Sequence, residues 1–227
     1  MTETAADFEI QVIAAQYEIS MSPPTAIDRF VQWIPFGRRE LPLKLDRLRM
    51  EIAHLQIRRG LVYGLAVSNA LLRSKLFGSI EGREAPSGGV VQVKGRVSSA
   101  SEIRNALAPS LSVSEALLAA VTGPGGDMDR AKRWFEASFL FSGMLDLAYV
   151  KIQDISELDR ARIAATACLF READIYLLDE ISLVFDQSMI KKICGRAALL
   201  AASGKTVVLA SADRDWLQSN CNAVISI

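Results

Sequence analysis

Histidine and cysteine are scarce in this sequence. His54 is its one histidine, so no histidine stands near the end of the segment TVVLAS, and His54 itself is interpreted as a strand-surface residue. The cysteines, Cys168, Cys194 and Cys221, are odd in number and form no C-x-x-C pattern. This favours buried, reduced thiols in a cytoplasmic protein over a disulfide framework or a metal site.

Neither sign of charge is in excess. The 26 basic and 26 acidic residues give a formal net charge of +0, which provides no electrostatic reason to expect a nucleic-acid partner. The opening MTETAADFEIQV lacks a basic stretch followed by an apolar run, so no signal peptide is expected. No apolar run reaches the roughly 18 residues of a membrane helix. The sequence predicts a soluble protein or one peripheral to a membrane.

The sequence is long enough for a domain, and predicted strands alternate with predicted helices along it. Its 227 residues, 50% of them hydrophobic, suffice for one domain with a full core. Short apolar runs such as LVYGLAV, DIYLLDE and KTVVLAS are typical of buried strands, and helical patterns separate them. ISELDRARIAATACLFREA predicts a helix with Ser156 as its N-cap. Strands that alternate with helices predict a parallel sheet with crossover helices.

One tripeptide invites a nucleotide-binding interpretation. Gly204, Lys205 and Thr206 match the end of the pattern G-x-x-x-x-G-K-[ST]. A phosphate-binding loop leaves a strand and enters a helix, whereas this tripeptide leaves a predicted helix and enters a predicted strand. The first glycine of the pattern is also missing, because its position is Leu199. We therefore predict that Gly204 is a glycine that ends a helix.

A pair of acids ends the predicted strand in ADIYLLDE. Asp179 would lie at the carboxyl edge of the sheet, where open α/β sheets bind ligands. In P-loop nucleotide hydrolases such an aspartate holds Mg²⁺ and the next glutamate, here Glu180, polarises the attacking water. An apolar run that ends in acids also occurs by chance at strand ends, so the motif alone leaves both interpretations open.

Four segments carry a wider resemblance when they are taken in chain order. These are QIRRGLVYGLAVSNALLRSKLFGSIEGREAPSGGVVQVKGRV, LAPSLSVSEALLAA, ISELDRARIAATACLFREADIYLLDEISLVFD and GKTVVLASADRDWLQSNCNAVISI. Together they resemble the nucleotide-binding subunit of ABC transporters, closest to the ATPases that export capsular and related polysaccharides. The resemblance covers nearly all of the chain. It implies an α/β, P-loop NTPase-like fold with a central, mostly parallel sheet, a small antiparallel β subdomain and a helical subdomain at about 110–165. It also implies one such domain over residues 1–227.

The phosphate-binding loop of that family falls on VSNALLRS. The family glycines are replaced by Val67, Ala70 and Leu72, the lysine is replaced by Arg73, and Ser74 remains as the hydroxyl. Glycines permit positive φ and close backbone approach to phosphate, which a β-branched or bulky residue opposes at a cost of about 1–3 kcal/mol each. Arg73 keeps the charge in a bulkier, planar head. Arg73 and Ser74 are retained as candidate nucleotide-binding residues.

Three further motifs of the family are altered. Its signature falls on Ser156 to Asp159, where Glu157 and Leu158 replace small residues. Glu157 and Asp159 would bring two negative charges toward a polyphosphate. Acids in a first helical turn also suit the helix dipole. The family histidine after the last core strand falls on Ala212, and the Q-loop glutamine falls near Ala108.

Some family positions are retained. Tyr17 stands where the family stacks an aromatic ring on adenine, although a tyrosine packed on the core is equally consistent. Asp179 matches the Mg²⁺ ligand and Glu180 the catalytic glutamate, here vestigial, while Asp186 matches the D-loop aspartate. As alternatives, Asp179 can cap the helix after the degenerate loop and Asp186 can pair across a dimer interface.

An extra segment at about 22–49 mixes aromatic and basic residues, as segments on membrane or partner surfaces do. A packed surface loop is the alternative for this segment.

The resemblance and the lost motifs together imply a catalytically degenerate subunit of a polysaccharide export system. ATP and Mg²⁺ are the cofactors that the family implies. The implied partners are a membrane permease and a second copy or an active homologue, at the cytoplasmic face of the inner membrane. Two alternatives stay open, a divergent but active ATPase and an interaction module without a transporter.

Overall fold

A computed structural model describes residues 8–20 and 47–227. Most of the extra segment at about 22–49 therefore lies outside the described residues, and only residues 47–49 belong to a described strand.

The first strands form a small antiparallel sheet. It contains β1 (Phe8–Ser20), β2 (Arg47–Arg58) and β4 (Gly88–Val93) in the order β2-β1-β4. In the middle of β1, Ala14 adopts a left-handed conformation with φ 48°, and the pairing with β4 shifts register there. Gly89 faces this irregularity with φ 76°, and a Cβ atom on it would lie 2.1 Å from the Ala14 carbonyl oxygen. Glycine is required at that position because no side chain fits.

A five-stranded parallel sheet forms the centre of the protein. Its strands are β3 (Val62–Ala66), β5 (Val97–Ser99), β6 (Ile175–Asp179), β7 (Thr206–Ser211) and β8 (Ala223–Ser226), in the order β5-β6-β7-β3-β8. Every neighbouring pair runs parallel. The buried apolar runs therefore form a parallel sheet, as the sequence predicts.

Helices cover both faces of this sheet. They are α1 (Ala70–Ile80), α2 (Ala100–Ala106), α3 (Val113–Thr122), α4 (Met128–Ser142), α5 (Glu157–Phe170), α6 (Ile181–Val184), α7 (Gln187–Ala202) and α8 (Arg214–Asn220). Two short 3₁₀ turns, Leu145–Leu147 and Ile152–Asp154, lie between α4 and α5. The subdomain expected at about 110–165 contains α3, α4 and part of α5; its boundaries stay a prediction.

Local signals start and stop these helices as expected. Ser156 caps α5 by accepting a hydrogen bond from the Asp159 N–H, and Ser112 forms a reciprocal capping box with Glu115 at α3. After α7, Gly204 has φ 81° and the chain enters β7 two residues later. Gly204 thus stops a helix, and the adjacent Lys205 pairs with Asp174 at 2.8 Å.

Two apolar clusters sandwich the parallel sheet. Alternate residues of β6 belong to different clusters, Leu178 to one and Leu177 to the other. The larger cluster packs against α3, α5 and α7, and the smaller joins the antiparallel sheet to α1. Within residues 8–20 and 47–227, no helix is both long and apolar enough to span a bilayer.

Candidate functional site

The carboxyl edge of the parallel sheet brings the candidate residues together. Strand β3 is followed by Val67, whose N–H donates to the Ser211 carbonyl at the end of β7 at 3.2 Å. Strand β6 ends at Asp179, and the following Glu180 N–H donates to the Ala210 carbonyl at 2.9 Å. Parallel strands end at one edge, so α1, the two acids and the end of β7 become neighbours.

Arg73 lies at the centre of this site and is only 5% exposed. Its Nη2 lies 2.8 Å from the Glu180 Oε1, and its Nη1 donates to the Val67 carbonyl at 2.9 Å. Its Nε lies 2.5 Å from the Asp179 Oδ1, a close ion pair whose atoms lack hydrogen-bond alignment. One guanidinium therefore pairs with both retained acids and ties them to the loop after β3.

The two acids occupy unusual environments. Burial raises the pKa of Asp179; the Arg73 charge opposes this effect and the Glu180 charge adds to it. Glu180 has a left-handed backbone with φ 49° and ψ 33°, which costs a residue other than glycine roughly 1–3 kcal/mol. Its Oε2 accepts a weak hydrogen bond from the Ser211 hydroxyl at 3.4 Å. The site holds these acids in place through contacts within the chain.

In the loop between β3 and α1, the Asn69 side chain occupies the helix N-terminus, where a phosphate would bind. Asn69 is the N-cap of α1, and its Oδ1 accepts hydrogen bonds from the Leu71 and Leu72 N–H groups, each at 3.0 Å. Val67 is 1% exposed and Leu72 is 6% exposed, so both pack into the core. In the described residues, the only residues other than glycine with positive φ are Ala14 and Glu180. The loop therefore does not adopt a glycine-dependent cradle.

These contacts decide whether the residues present fit ATP and Mg²⁺. The Leu71 and Leu72 N–H groups at the start of α1 are capped, and the buried Arg73 cation is paired with both acids. Ala70 and Ser74 are exposed. In this arrangement the residues do not fit the nucleotide phosphates and their metal.

The other candidate positions lie as follows. Tyr17 is 2% exposed and packs in the cluster beneath the antiparallel sheet, so its ring presents no open face to a base. This burial agrees with the core-packing alternative, and adenine stacking on Tyr17 stays a prediction. Asp179 does not cap α1, because Asn69 occupies that role. Asp186 caps α7 by accepting from the Met189 N–H at 2.8 Å.

The altered signature and histidine positions are open to solvent. At the start of α5, the Glu157 carboxylate pairs with Arg160 at 2.9 Å, and the Ser156 hydroxyl is 2.6 Å from Asp159. Leu158 is 44% exposed beside them. Ala212 is exposed just after β7 and carries no polar side-chain group. The acids at α5 are thus held by local contacts that suit a helix N-terminus.

Sequence reasoning missed Asn69. An asparagine directly before a helical pattern is an N-cap signal, and this signal was present at the start of ALLRSKLFGSI. The ion pairs of Arg73 had no local signal, because its two partners lie at the end of another strand.

Solved structures of known proteins share this fold. An ATP-binding subunit of an ABC transporter matches with a TM-score of 0.74 and 14% identity, over 96% of this chain and 85% of that one. The ATP-binding cassette MJ0796, in a dimeric post-hydrolysis state bound to ADP and Pi, matches with a TM-score of 0.72 and 16% identity, over 96% and 94%. CbiO1 from Clostridium perfringens, part of the ABC transporter complex cbiONQ, matches with a TM-score of 0.65 and 17% identity, over 97% and 84%.

The chain therefore has the fold of the ABC ATP-binding cassette, and the predicted fold class is confirmed. Identities below 20% establish the fold alone. No protein-family profile matches the sequence, and no curated protein matches it either.

Proposed function

We propose that this chain is a subunit of ABC-transporter type that does not hydrolyse ATP and serves a polysaccharide export system in a non-catalytic or regulatory role. The observation that carries the proposal is the closed ion pair of Arg73 with Asp179 and Glu180. A cation that pairs with both acids is withdrawn from a phosphate, and acids paired with it are withdrawn from a metal and from an attacking water.

Independent positions support the same conclusion. Val67 and Leu72 are buried in a loop that would need glycines, and Asn69 fills the helix N-terminus. At α5, Glu157 adds negative charge where an anion would approach. Ala212 provides no side-chain donor at the end of β7. Each change alone weakens the nucleotide chemistry, and together they replace its cradle and its sensor, while the ion pairs occupy its cation.

The transport role rests on the sequence resemblance to polysaccharide export ATPases and on the shared fold. CbiO1, which has this fold, is part of a transporter complex. In the proposed role the chain contacts a membrane permease at the cytoplasmic face of the inner membrane. It pairs with itself or with an active homologue, and the segment at about 22–49 is a candidate membrane or partner contact.

Equilibrium binding of a fluorescent ATP analogue, with and without Mg²⁺, tests the proposal on the purified chain. We expect no saturable binding up to about 1 mM, which corresponds to an interaction weaker than roughly 4 kcal/mol. ATP turnover is measured in parallel for the wild type and for Glu180→Gln. Turnover that Glu180→Gln abolishes would show a working catalytic site and overturn the proposal.

The same measurements separate the alternatives. A divergent active ATPase predicts micromolar, Mg²⁺-dependent affinity that Arg73→Ala removes. An interaction module without a transporter predicts that native co-purification recovers a soluble partner and no permease. The proposed role predicts a permease in that experiment.

A further inference from the structure

A cavity of about 260 Å³ opens at the amino edge of the parallel sheet. Tyr176 near the start of β6 and Lys205 just before β7 line it. Asp179, which pairs with Arg73, lies at the other end of β6. Helices α4 and α7 and the end of α5 provide other walls. The cavity therefore shares no residue with the candidate nucleotide site.

Basic side chains outnumber acidic ones in the lining of this cavity. The charged lining residues are four cations and one acid: Arg130, Arg171, Arg196, Lys205 and Glu172. The carboxylate of Glu172 is shared by two arginines, Arg130 at 3.1 Å and Arg96 at 2.9 Å. Arg171 and Lys205 each lie within 4 Å of an acid outside the lining. Arg196 has no carboxylate partner among residues 8–20 and 47–227.

The guanidinium of Arg196 is fixed in place by neutral groups. It lies 4.5 Å from the centre of the Phe170 ring and 5.2 Å from the centre of the Trp134 ring. Its Nε donates to the Leu169 carbonyl at 3.3 Å, whereas Nη1 and Nη2 have no hydrogen-bond partner in the described part of the chain. Burial lowers the pKa of Arg196, because removing a cation from water is unfavourable. A carboxylate or phosphate that paired with the two Nη groups would offset this cost.

Apolar surface adjoins this cation. Trp134 is 39% exposed, and Leu199, one turn after Arg196 on α7, is 65% exposed; both line the cavity. Sites for small molecules combine such apolar walls with a few polar groups that orient the ligand. Cavities of about 150 Å³ accept benzene, so this larger one has room for an aromatic ring with an anionic group attached.

We propose that this cavity binds a small aromatic anion. The carboxylate or phosphate of the ligand pairs with Nη1 and Nη2 of Arg196, and its ring packs on Trp134 and Leu199. The ligand thereby contacts both α4 and α7. The inference goes beyond the proposed function, because the residues of this site lie at the opposite edge of the sheet from Arg73 and its two acids.

Titration calorimetry of the purified full chain with phenyl phosphate and with benzoate tests this inference. We expect one site with a Kd of about 0.1–1 mM, which is ordinary for ligands of roughly ten non-hydrogen atoms. Inorganic phosphate has the charge without the ring, and benzyl alcohol has the ring without the charge. Each of these two should bind roughly tenfold more weakly or worse, because it makes only part of the contacts. Tighter binding of either aromatic anion supports the site and identifies its preferred group.

Leu199→Glu is the most informative variant. It places a carboxylate three residues after Arg196 on the same helix, a spacing at which opposite charges pair. We expect it to weaken phenyl phosphate binding roughly tenfold, because the anion then competes with a carboxylate of the chain. Leu199→Gln is the matched neutral control and should change the Kd by about twofold at most, as a surface substitution does. Since Leu199 is mostly exposed, both variants should fold, which circular dichroism checks.

Arg196→Met gives an independent measurement. It removes the cation and should weaken phenyl phosphate binding roughly tenfold or more. Arg133→Met is its control, because Arg133 is an exposed arginine on α4 that does not line the cavity, and the Kd should stay unchanged. If loss of the contacts with Trp134 and Phe170 unfolds Arg196→Met, the two Leu199 variants still decide the question.

The outcomes separate this inference from the proposed function. Absence of saturable binding for both aromatic anions would overturn the site and leave the proposed function standing. Equal weakening by Leu199→Glu and Leu199→Gln would overturn the role of Arg196, as would benzyl alcohol that binds as tightly as phenyl phosphate. Phenyl phosphate binding that Arg73→Ala removes and Arg196→Met leaves intact would place the anion at the carboxyl edge and contradict both proposals.

Discussion

Replacing Arg73 with methionine is expected to destabilise the protein by about 3 kcal/mol at neutral pH. Removal of one partner of a buried ion pair costs about 3–5 kcal/mol, because the other charge stays buried without compensation. Arg73 is almost fully buried, whereas the side chains of Asp179 and Glu180 retain 30% and 18% exposure, which places the loss at the lower end. For a chain of this size the loss corresponds to a decrease of about 6–12 °C in Tm.

The loss should depend on pH. In the wild type, burial already raises the pKa of Asp179 above 3.8, and Arg73 opposes that shift. Without Arg73 the folded-state pKa rises further, so the folded protein binds more protons than the unfolded chain between 3.8 and the raised pKa. The stability of Arg73→Met therefore falls as pH rises through that window, and its deficit is smallest below pH 3.8, where the carboxyl is neutral in both states.

Thermal and denaturant unfolding between acidic and neutral pH measure this effect. Arg49→Met is the matched control, because Arg49 pairs with Glu18 at the surface with 74% of its side chain exposed; its effect should be within about 0.5 kcal/mol. The triple variant Arg73→Met, Asp179→Asn, Glu180→Gln should regain most of the lost stability, because it leaves no unpaired charge. An unchanged Tm for Arg73→Met, with loss of measurable ATP affinity, would refute this reasoning and identify Arg73 as a phosphate ligand.

Three further predictions concern the caps, the lysine of the apparent motif and the thiols. Asn69→Ala should lower stability by about 1 kcal/mol in denaturant unfolding, because it removes the N-cap of α1; unchanged stability would contradict that role. Lys205→Met should cost up to about 1 kcal/mol near neutral pH. The Lys205 hydrogen bond is the main cause that lowers the pKa of Asp174 below 3.8. The stability difference between Lys205→Met and wild type should therefore disappear as pH falls through that lowered pKa. A stability loss that does not change with pH would exclude the ion pair as its cause. Burial raises the pKa of Cys168 and of Cys221 to about 12. Iodoacetamide at pH 8 should therefore label neither thiol in the folded protein and both thiols in guanidinium. Rapid labelling of the folded protein would disprove this burial.

Local patterns predicted most of the fold because their physical causes are local. The buried run before Asp179, the N-cap Ser156 and the helix stop at Gly204 each depend on a few neighbouring residues, and the structure has all three. The order of strands and helices was sufficient to predict a parallel sheet, since crossover connections have few alternatives. The order of elements also separated the apparent phosphate motif at Gly204 from a phosphate-binding loop, because the chain there leaves a helix and enters a strand.

The side-chain direction of Tyr17 shows where local patterns fail. Side chains alternate along a strand, and Ile10 and Val12 are buried in β1 as that period requires. The left-handed Ala14 interrupts the alternation, so Ala15 and Tyr17 are buried after it. Nothing in the residues around Ala14 predicts this irregularity, which depends on pairing with β4 and on Gly89.

The sequence by itself determined which groups the chain has for nucleotide chemistry: one arginine in place of the lysine, two acids, and neither loop glycines nor a histidine beyond β7. Composition and local patterns are enough for that statement. Only the tertiary structure decided how the remaining groups are used. Arg73 and its two acids come from elements distant in sequence, and the parallel sheet brings their ends to one edge. At that edge a buried guanidinium pairs with two half-buried carboxylates, because leaving the buried cation unpaired costs several kcal/mol.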